Sequence, residues 1–227
     1  MTKARAAAAV VSEGERPSRG RKPIFSREQV IAAALALVAR AGHEALSMRG
    51  IAAELGTGVA TLYNYFGSLA ELHDALVMAL LDEIPVPNAK DAREVRRQLK
   101  AMVIGYAAVV ARYPDFEQMI GPLADQRTLR VLDAALRVMV DAGVDIERAG
   151  VSWTVLQSLG QAHGASSRRR NDARRSETRK KIQDLDAVLA LAETGVFEKS
   201  GDEWFHRVLD LTMDRLLPEL NTRKRTS

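Results

Sequence analysis

The chain of 227 residues contains no cysteine. Disulfides, thiolate metal sites and cysteine nucleophiles are therefore excluded. Long apolar runs are also missing. The longest, Val30 to Ala39, has ten residues, half of the roughly 20 that a bilayer span needs. The stretch Ala6 to Val11 is too short for the core of a signal peptide, and its flanks are wrong for one. No window alternates apolar and polar residues as a strand would, and no internal repeat is present. There is no Gly-rich phosphate loop, nucleophile elbow or paired-carboxylate motif. The four histidines, His43, His73, His163 and His206, show no metal-ligand spacing such as a pair at i, i+4. No catalytic residue, metal site or cofactor is expected, nor a membrane partner, and the expected location is cytoplasmic.

Apolar residues make up 47% and charged residues 27% of the chain, an ordinary globular profile with enough length for a sizeable core. The net charge of +4 is unevenly spread. Residues 1–23 carry six basic against two acidic side chains, and residues 24–84 carry three basic against seven acidic ones. A second basic run, 168–181, holds eight Lys and Arg against Asp172 and Glu177. Such runs can meet phosphates, and they also suit any solvated segment. Residues 1–20 lack helical periodicity, and residues 1–23 are expected to be a disordered basic arm.

Periodic structure begins at Ser26. Ser26 and Gln29 predict a capping box, flanked by a Phe25–Val30 staple. Val30, Ile31, Ala34, Leu35 and Val38 then mark one helical face that Gly42 ends. Two short units follow: Ser47 caps a helix to about Leu55, and a second covers about Val59 to Tyr65. Ser68 caps a third helix, with Glu71 completing a box, which runs until Pro85 and Pro87 forbid continuation. Two short helices joined by a Gly-containing turn, after a long one, make a helix-turn-helix. Beyond Asp91 every periodic segment also reads as helix. One carries the stripe Val95, Leu99, Met102, Val103, Tyr106 and Val110, and one spans about Asp115 to Gly121. Another carries Leu129, Leu132, Leu136, Met139 and Val140. Asp145 caps a helix to about Ser166. Further helices are expected around Ile182 to Gly195 and from Phe205 to Leu216. The fold class is all-α: a helix-turn-helix domain at 24–84 and a larger helical domain at 85–227.

Ser47-Met48-Arg49-Gly50-Ile51-Ala52-Ala53-Glu54-Leu55-Gly56, followed by Thr61-Leu62-Tyr63-Asn64-Tyr65-Phe66, resembles the DNA-binding domain of the tetracycline-repressor (TetR) family. The resemblance is specific over residues 24–84. Ile51, Ala52, Leu55, Leu62 and Phe66 fall on inward faces, leaving Val59, Ala60, Thr61, Asn64 and Tyr65 on or near the outer surface. The N-terminal residues of a recognition helix meet base edges in the major groove. The resemblance implies base contacts from Val59, Ala60 and Thr61, beside Gly58 at the helix start. It implies phosphate or edge contacts from Tyr63, Asn64 and Tyr65. Arg49 matches a position that can reach guanine, the commonest specific contact; Glu54 and Glu44 are its alternative ion-pair partners. Ser47 and Ser68 suit phosphate, and Arg21 and Lys22 of the arm could follow a groove. The chain departs from the family pattern in having Thr57-Gly58 for Val-Ser, Ala60 for Gly, Tyr65 for His, and Leu69 for a phosphate-binding lysine.

The resemblance implies a homodimeric transcriptional regulator, a repressor of a palindromic double-stranded DNA operator, released by a small-molecule effector. Met102, Tyr106, Phe116, Met119, Trp153, Gln157 and His163 are the candidate effector-binding residues, since such pockets are apolar with a few polar groups. Dimerisation is expected through 146–165 and 203–217. There Ser158, Gly160, Ala162 and Gly164 permit close approach, and Val208, Leu209, Thr212, Met213 and Leu216 offer an apolar face. Two rivals remain: a small-molecule carrier or enzyme keeping an inactive helix-turn-helix, and a ligand-independent regulator controlled by a protein partner.

Overall fold

A computed structural model describes residues 24–121, 126–167 and 201–221, with side chains at 126 and 127 left undescribed. The arm at 1–23, with Arg21 and Lys22, lies outside the described residues. So do the basic run at 168–181 and the helix expected around Ile182. Among the described residues all regular structure is helical. The elements are α1 (Arg27–Ala41), α2 (Met48–Glu54), α3 (Val59–Leu62), α4 (Leu69–Asp82), α5 (Ala92–Arg112), α6 (Phe116–Ile120), α7 (Gln126–Asp141), α8 (Ile146–Ser167) and α9 (Gly201–Leu216). No described helix is long and apolar enough to cross a membrane.

Local chemistry fixes most helix ends. The Ser26–Gln29 capping box forms in both directions, and Gly42 stops α1 at φ +83°, a conformation that favours glycine. Ser47 Oγ accepts from Gly50 N at 3.0 Å. Ser68 Oγ accepts from Glu71 N at 3.0 Å. The expected return bond from Glu71 to Ser68 is absent, because the Glu71 carboxylate accepts instead from Gly67 N at 2.7 Å and from Arg27 at 3.0 Å. The second short helix is also shorter than expected. After Leu62 the chain tightens: Asn64 N bonds Thr61 O and Tyr65 N bonds Leu62 O, the i→i+3 pattern that ends α-helices.

Helix α5 is the spine of the larger domain, and α8 packs along it. Glycines make that approach possible. A Cβ on Gly164 would lie 2.5 Å from the Ala107 carbonyl oxygen, and one on Gly160 would lie 3.0 Å from the Tyr106 ring. These two glycines therefore face α5 inside the protomer, whereas Ser158 and Ala162 are exposed. The expectation that all four small residues serve an intermolecular contact is corrected: one helix carries two small-residue faces, and the glycine face is used internally. A similar correction applies to α9. Phe205, Leu209 and Met213 are buried against the chain's own core. Val208, Thr212 and Leu216 are half-buried, and Trp204 and Leu211 are exposed. Arg96 and Lys100 on α5 hold α9 through Asp210 and Asp214 at 2.7–3.6 Å.

Packing and polar contacts tie the end of α4 and the turn after α1 to α5 and α6. Pro85 presses on α5 at Gly105, where a Cβ would come within 2.6 Å of the proline ring. Arg112 pairs with Glu83. The Asp115 carboxylate, at the start of α6, accepts from His43 N at 2.8 Å, just beyond the end of α1.

Candidate nucleic-acid interface and effector cavity

The small head is built around Val30, Ala34, Ile51, Leu62, Phe66, Leu72 and Leu76, all fully buried. Helices α2 and α3 lie across it, so their outer residues form a continuous surface. Arg49, Gly58, Ala60, Tyr63 and Asn64 are exposed, Tyr63 to 53%. Val59 and Thr61 are half-buried, and Val59 packs against the core. Arg49 makes no ion pair among the described residues. Its alternative partner Glu54 is taken by Arg40 in a two-pronged pair of 2.7 and 3.1 Å that ties α1 to α2. That pair holds the Glu54 carboxyl below its usual value, chiefly through hydrogen bonding.

Ser47 and Ser68 spend their hydroxyl oxygens as acceptors for helix N–H groups. A hydroxyl also has one O–H donor, and in both serines it remains available for a phosphate oxygen. Gly58 has ordinary extended geometry at φ −83°, and a Cβ there would meet nothing within 4 Å. The backbone does not require glycine; the small residue leaves the start of α3 uncovered.

Tyr65 has a different position from the other surface residues. Its hydroxyl accepts from Phe25 N at 2.9 Å. Its carbonyl accepts from Arg27, whose guanidinium lies 4.1 Å from the centre of the Phe66 ring. Tyr65 therefore clamps the turn after α3 to the start of α1. Sequence reasoning missed Arg27, since its three contacts come from residues about 40 positions away.

The candidate effector residues divide. Met102, Tyr106, Phe116, Trp153 and Gln157 line one small hollow of about 40 Å³, together with Leu81, Ile84, Ile120, Thr128, Val131 and Leu132. Met119 is buried in the core but is not part of that lining. His163 lies elsewhere: its ring stacks on Phe205 at 3.9 Å, and its Nε2 is 3.1 Å from Asp202 Oδ1. It joins α8 to α9, the interface role that a lone histidine commonly has. Thr128 had no sequence signal. It is set apart by an unpartnered buried hydroxyl, a property shared by Tyr106. Among the described residues no group of three His, Cys, Asp or Glu could hold a metal ion.

A head in which two short helices, α2 and α3, stand between the longer α1 and α4 with the outer side of α3 exposed, carried on a helical domain with an internal hollow, defines a helix-turn-helix regulator. Comparison with known proteins agrees. Residues 30–76 match the family model for bacterial regulatory proteins of the tetR family. The HTH-type transcriptional repressor DrrR1 of Streptomyces coeruleorubidus is 40% identical over 105 residues, 44% of this chain. The match spans only 37% of the length of DrrR1. An uncharacterized HTH-type transcriptional regulator of Mycobacterium tuberculosis, Rv0681, is 34% identical over 67% of this chain and 77% of its own. The solved structure of the TetR family protein ActR of Streptomyces coelicolor, in complex with actinorhodin, superposes with a TM-score of 0.62. That superposition covers 87% of this chain and 99% of ActR at 20% identity, a likeness of fold. The chain belongs to the tetR family of bacterial regulatory proteins.

Proposed function

We propose that the protein is a homodimeric, cytoplasmic, non-catalytic repressor that reads a palindromic operator and releases it when a small molecule occupies the hollow between α4, α5, α6, α7 and α8. The observation that carries the reading is the surface of α2 and α3. Arg49, Ala60, Tyr63 and Asn64 stand exposed beside two capping serines whose O–H groups are unspent. Such a surface can place side chains on base edges while hydroxyls and N–H groups fix the backbone register. The outer face of α8, with Val151, Ser158, Ala162 and Ala165 exposed, and Trp204 and Leu211 of α9 offer an unburied surface for a second copy. A two-fold axis there would match an inverted repeat whose half-sites lie about 34 Å apart. The repressor DrrR1 and the ligand complex of ActR support repression and ligand control.

Selection from randomised duplex DNA tests the reading. An inverted repeat should be enriched, and its complex should weaken steeply with salt. A folded protein that enriches no sequence would favour a carrier with an idle helix-turn-helix. The second reading, a regulator answering to a protein partner, is favoured by the size of the hollow. At about 40 Å³ it admits a few waters at most, so a ligand must enlarge it.

A further inference from the structure

Two hollows meet where α4 ends. The inner one lies between α4, α5, α6, α7 and α8. The outer one, about 360 Å³, is a groove bounded by the end of α4, by Pro85 and Val86, and by α7. Leu81, Ile84 and Val131 line both, so three apolar side chains are the partition between them.

The inner hollow has a distinctive chemistry. The Tyr106 hydroxyl and the Thr128 hydroxyl are both buried on its wall without a hydrogen-bond partner. Tyr106 as a whole is only 8% exposed. Leaving a buried polar group unpaired is costly, and a ligand that satisfies it recovers that cost. Each hydroxyl can both donate and accept, so each can bond a hydroxyl or carbonyl oxygen. Among the described residues no Asp, Glu, Lys or Arg lines this hollow. A charged group placed there would lose its hydration with no opposite charge in return. The outer groove is apolar along Met78, Ile84, Val86 and Val131, with Asp82 and Arg130 of opposite sign in its lining.

We propose that the two hollows form a single site for an uncharged, elongated, mostly hydrocarbon molecule with a hydroxyl or carbonyl oxygen at one end. The oxygen is held by Tyr106 and Thr128, and the hydrocarbon body passes the partition and lies in the groove. The proposal rests on the effector reading and adds to it the class of ligand: neutral at the inner end, long enough to span both spaces.

The test uses the full-length protein carrying Trp204→Phe, so that Trp153, which lines the inner hollow, is the sole tryptophan of the original two. Decanol, decanoate and decylamine are titrated at neutral pH. Decanol should give a saturable change in Trp153 emission, with the two charged analogues at least about tenfold weaker. Adding Tyr106→Phe or Thr128→Val should weaken decanol about two- to tenfold, the loss of one hydrogen bond. Val131→Phe should fill the partition without adding a tryptophan and abolish the response, with melting curves confirming that each variant folds. Charged analogues that bind as well as decanol, a Tyr106→Phe/Thr128→Val double variant that binds unchanged, or no saturable response to any probe would each overturn the proposal. Operator release is followed separately. Decanol that binds without releasing DNA would sink the effector reading while leaving the ligand class standing. Release by decanoate alone would do the reverse.

Discussion

Arg49 and Tyr65 show how far a residue's type determines its role. Both stand in the motif as candidate DNA contacts, and both have long polar side chains. The structure occupies Tyr65 with the Phe25 N–H and leaves Arg49 exposed without an ion pair among the described residues. The difference follows from burial: Tyr65 packs partly against the core, so its hydroxyl needs an internal partner. Arg49→Ala is expected to relax preference at one base pair, by about 1–3 kcal/mol, and not merely to weaken binding. Equal loss of affinity for operator and random DNA would identify Arg49 as a phosphate contact instead. Tyr65→Phe should act on the fold of the head. Removing one hydrogen bond is expected to lower stability by about 0.5–1.5 kcal/mol, measured by urea unfolding, with the preferred sequence unchanged.

At the scale of elements, what was legible in the sequence was what is local. The caps at Ser26, Ser47 and Ser68 and the stop at Gly42 each depend on residues within four positions, and all are found. What was not legible depends on competition between distant groups. Glu71 could close a box on Ser68, but Gly67 N and Arg27 take its carboxylate. The small residues of α8 could serve either of two faces, and sequence spacing alone does not say which face meets α5. The assignment of Gly164 to the internal face is testable. Gly164→Ala would drive a methyl group into the Ala107 carbonyl and the Val110 side chain, where both helices are held along their length. Overpacking of this kind costs about 1–3 kcal/mol, visible as a lower melting temperature. Ala162→Ser, on the exposed face, should leave the protomer's stability unchanged.

The turn after α1 supplies a second prediction at this scale. His43 and His73 meet edge to face at 5.2 Å. Burial, then the neighbouring His43, lowers the pKa of His73, against a smaller opposing pull from Asp74. The folded state therefore binds the proton less readily than the unfolded chain. Stability is fully present above the ordinary histidine range near 6.5 and falls as pH drops below it. The melting temperature should decline between about pH 7.5 and about pH 5.5, and His73→Gln should reduce that decline. An identical pH dependence in the variant would assign it to other groups.

For the whole molecule, the distribution of charge is the least ordinary property. The head at 24–84 has three basic against seven acidic side chains, and Leu69 stands where the family pattern has a lysine. Serine hydroxyls and backbone N–H groups can position such a head on DNA, but they displace few counterions. The compensating charge is in residues 1–23, six basic against two acidic, with Arg19, Arg21 and Lys22 immediately before the first helix. The start of that helix is clamped to the turn after α3 through Phe25, Tyr65 and Arg27, so the point from which the arm departs is fixed beside the reading surface. Each phosphate neutralised should add roughly 0.9 to the slope of log K against log salt. Deleting residues 1–23 is expected to lower operator affinity and flatten that slope by roughly two to three units per subunit, if all three side chains engage phosphate. The preferred sequence should barely change, because the surface of α2 and α3 is intact. A truncated protein with the same salt slope would show that the arm is inert. The acidic head would then have to hold DNA through Arg49 and uncharged groups alone.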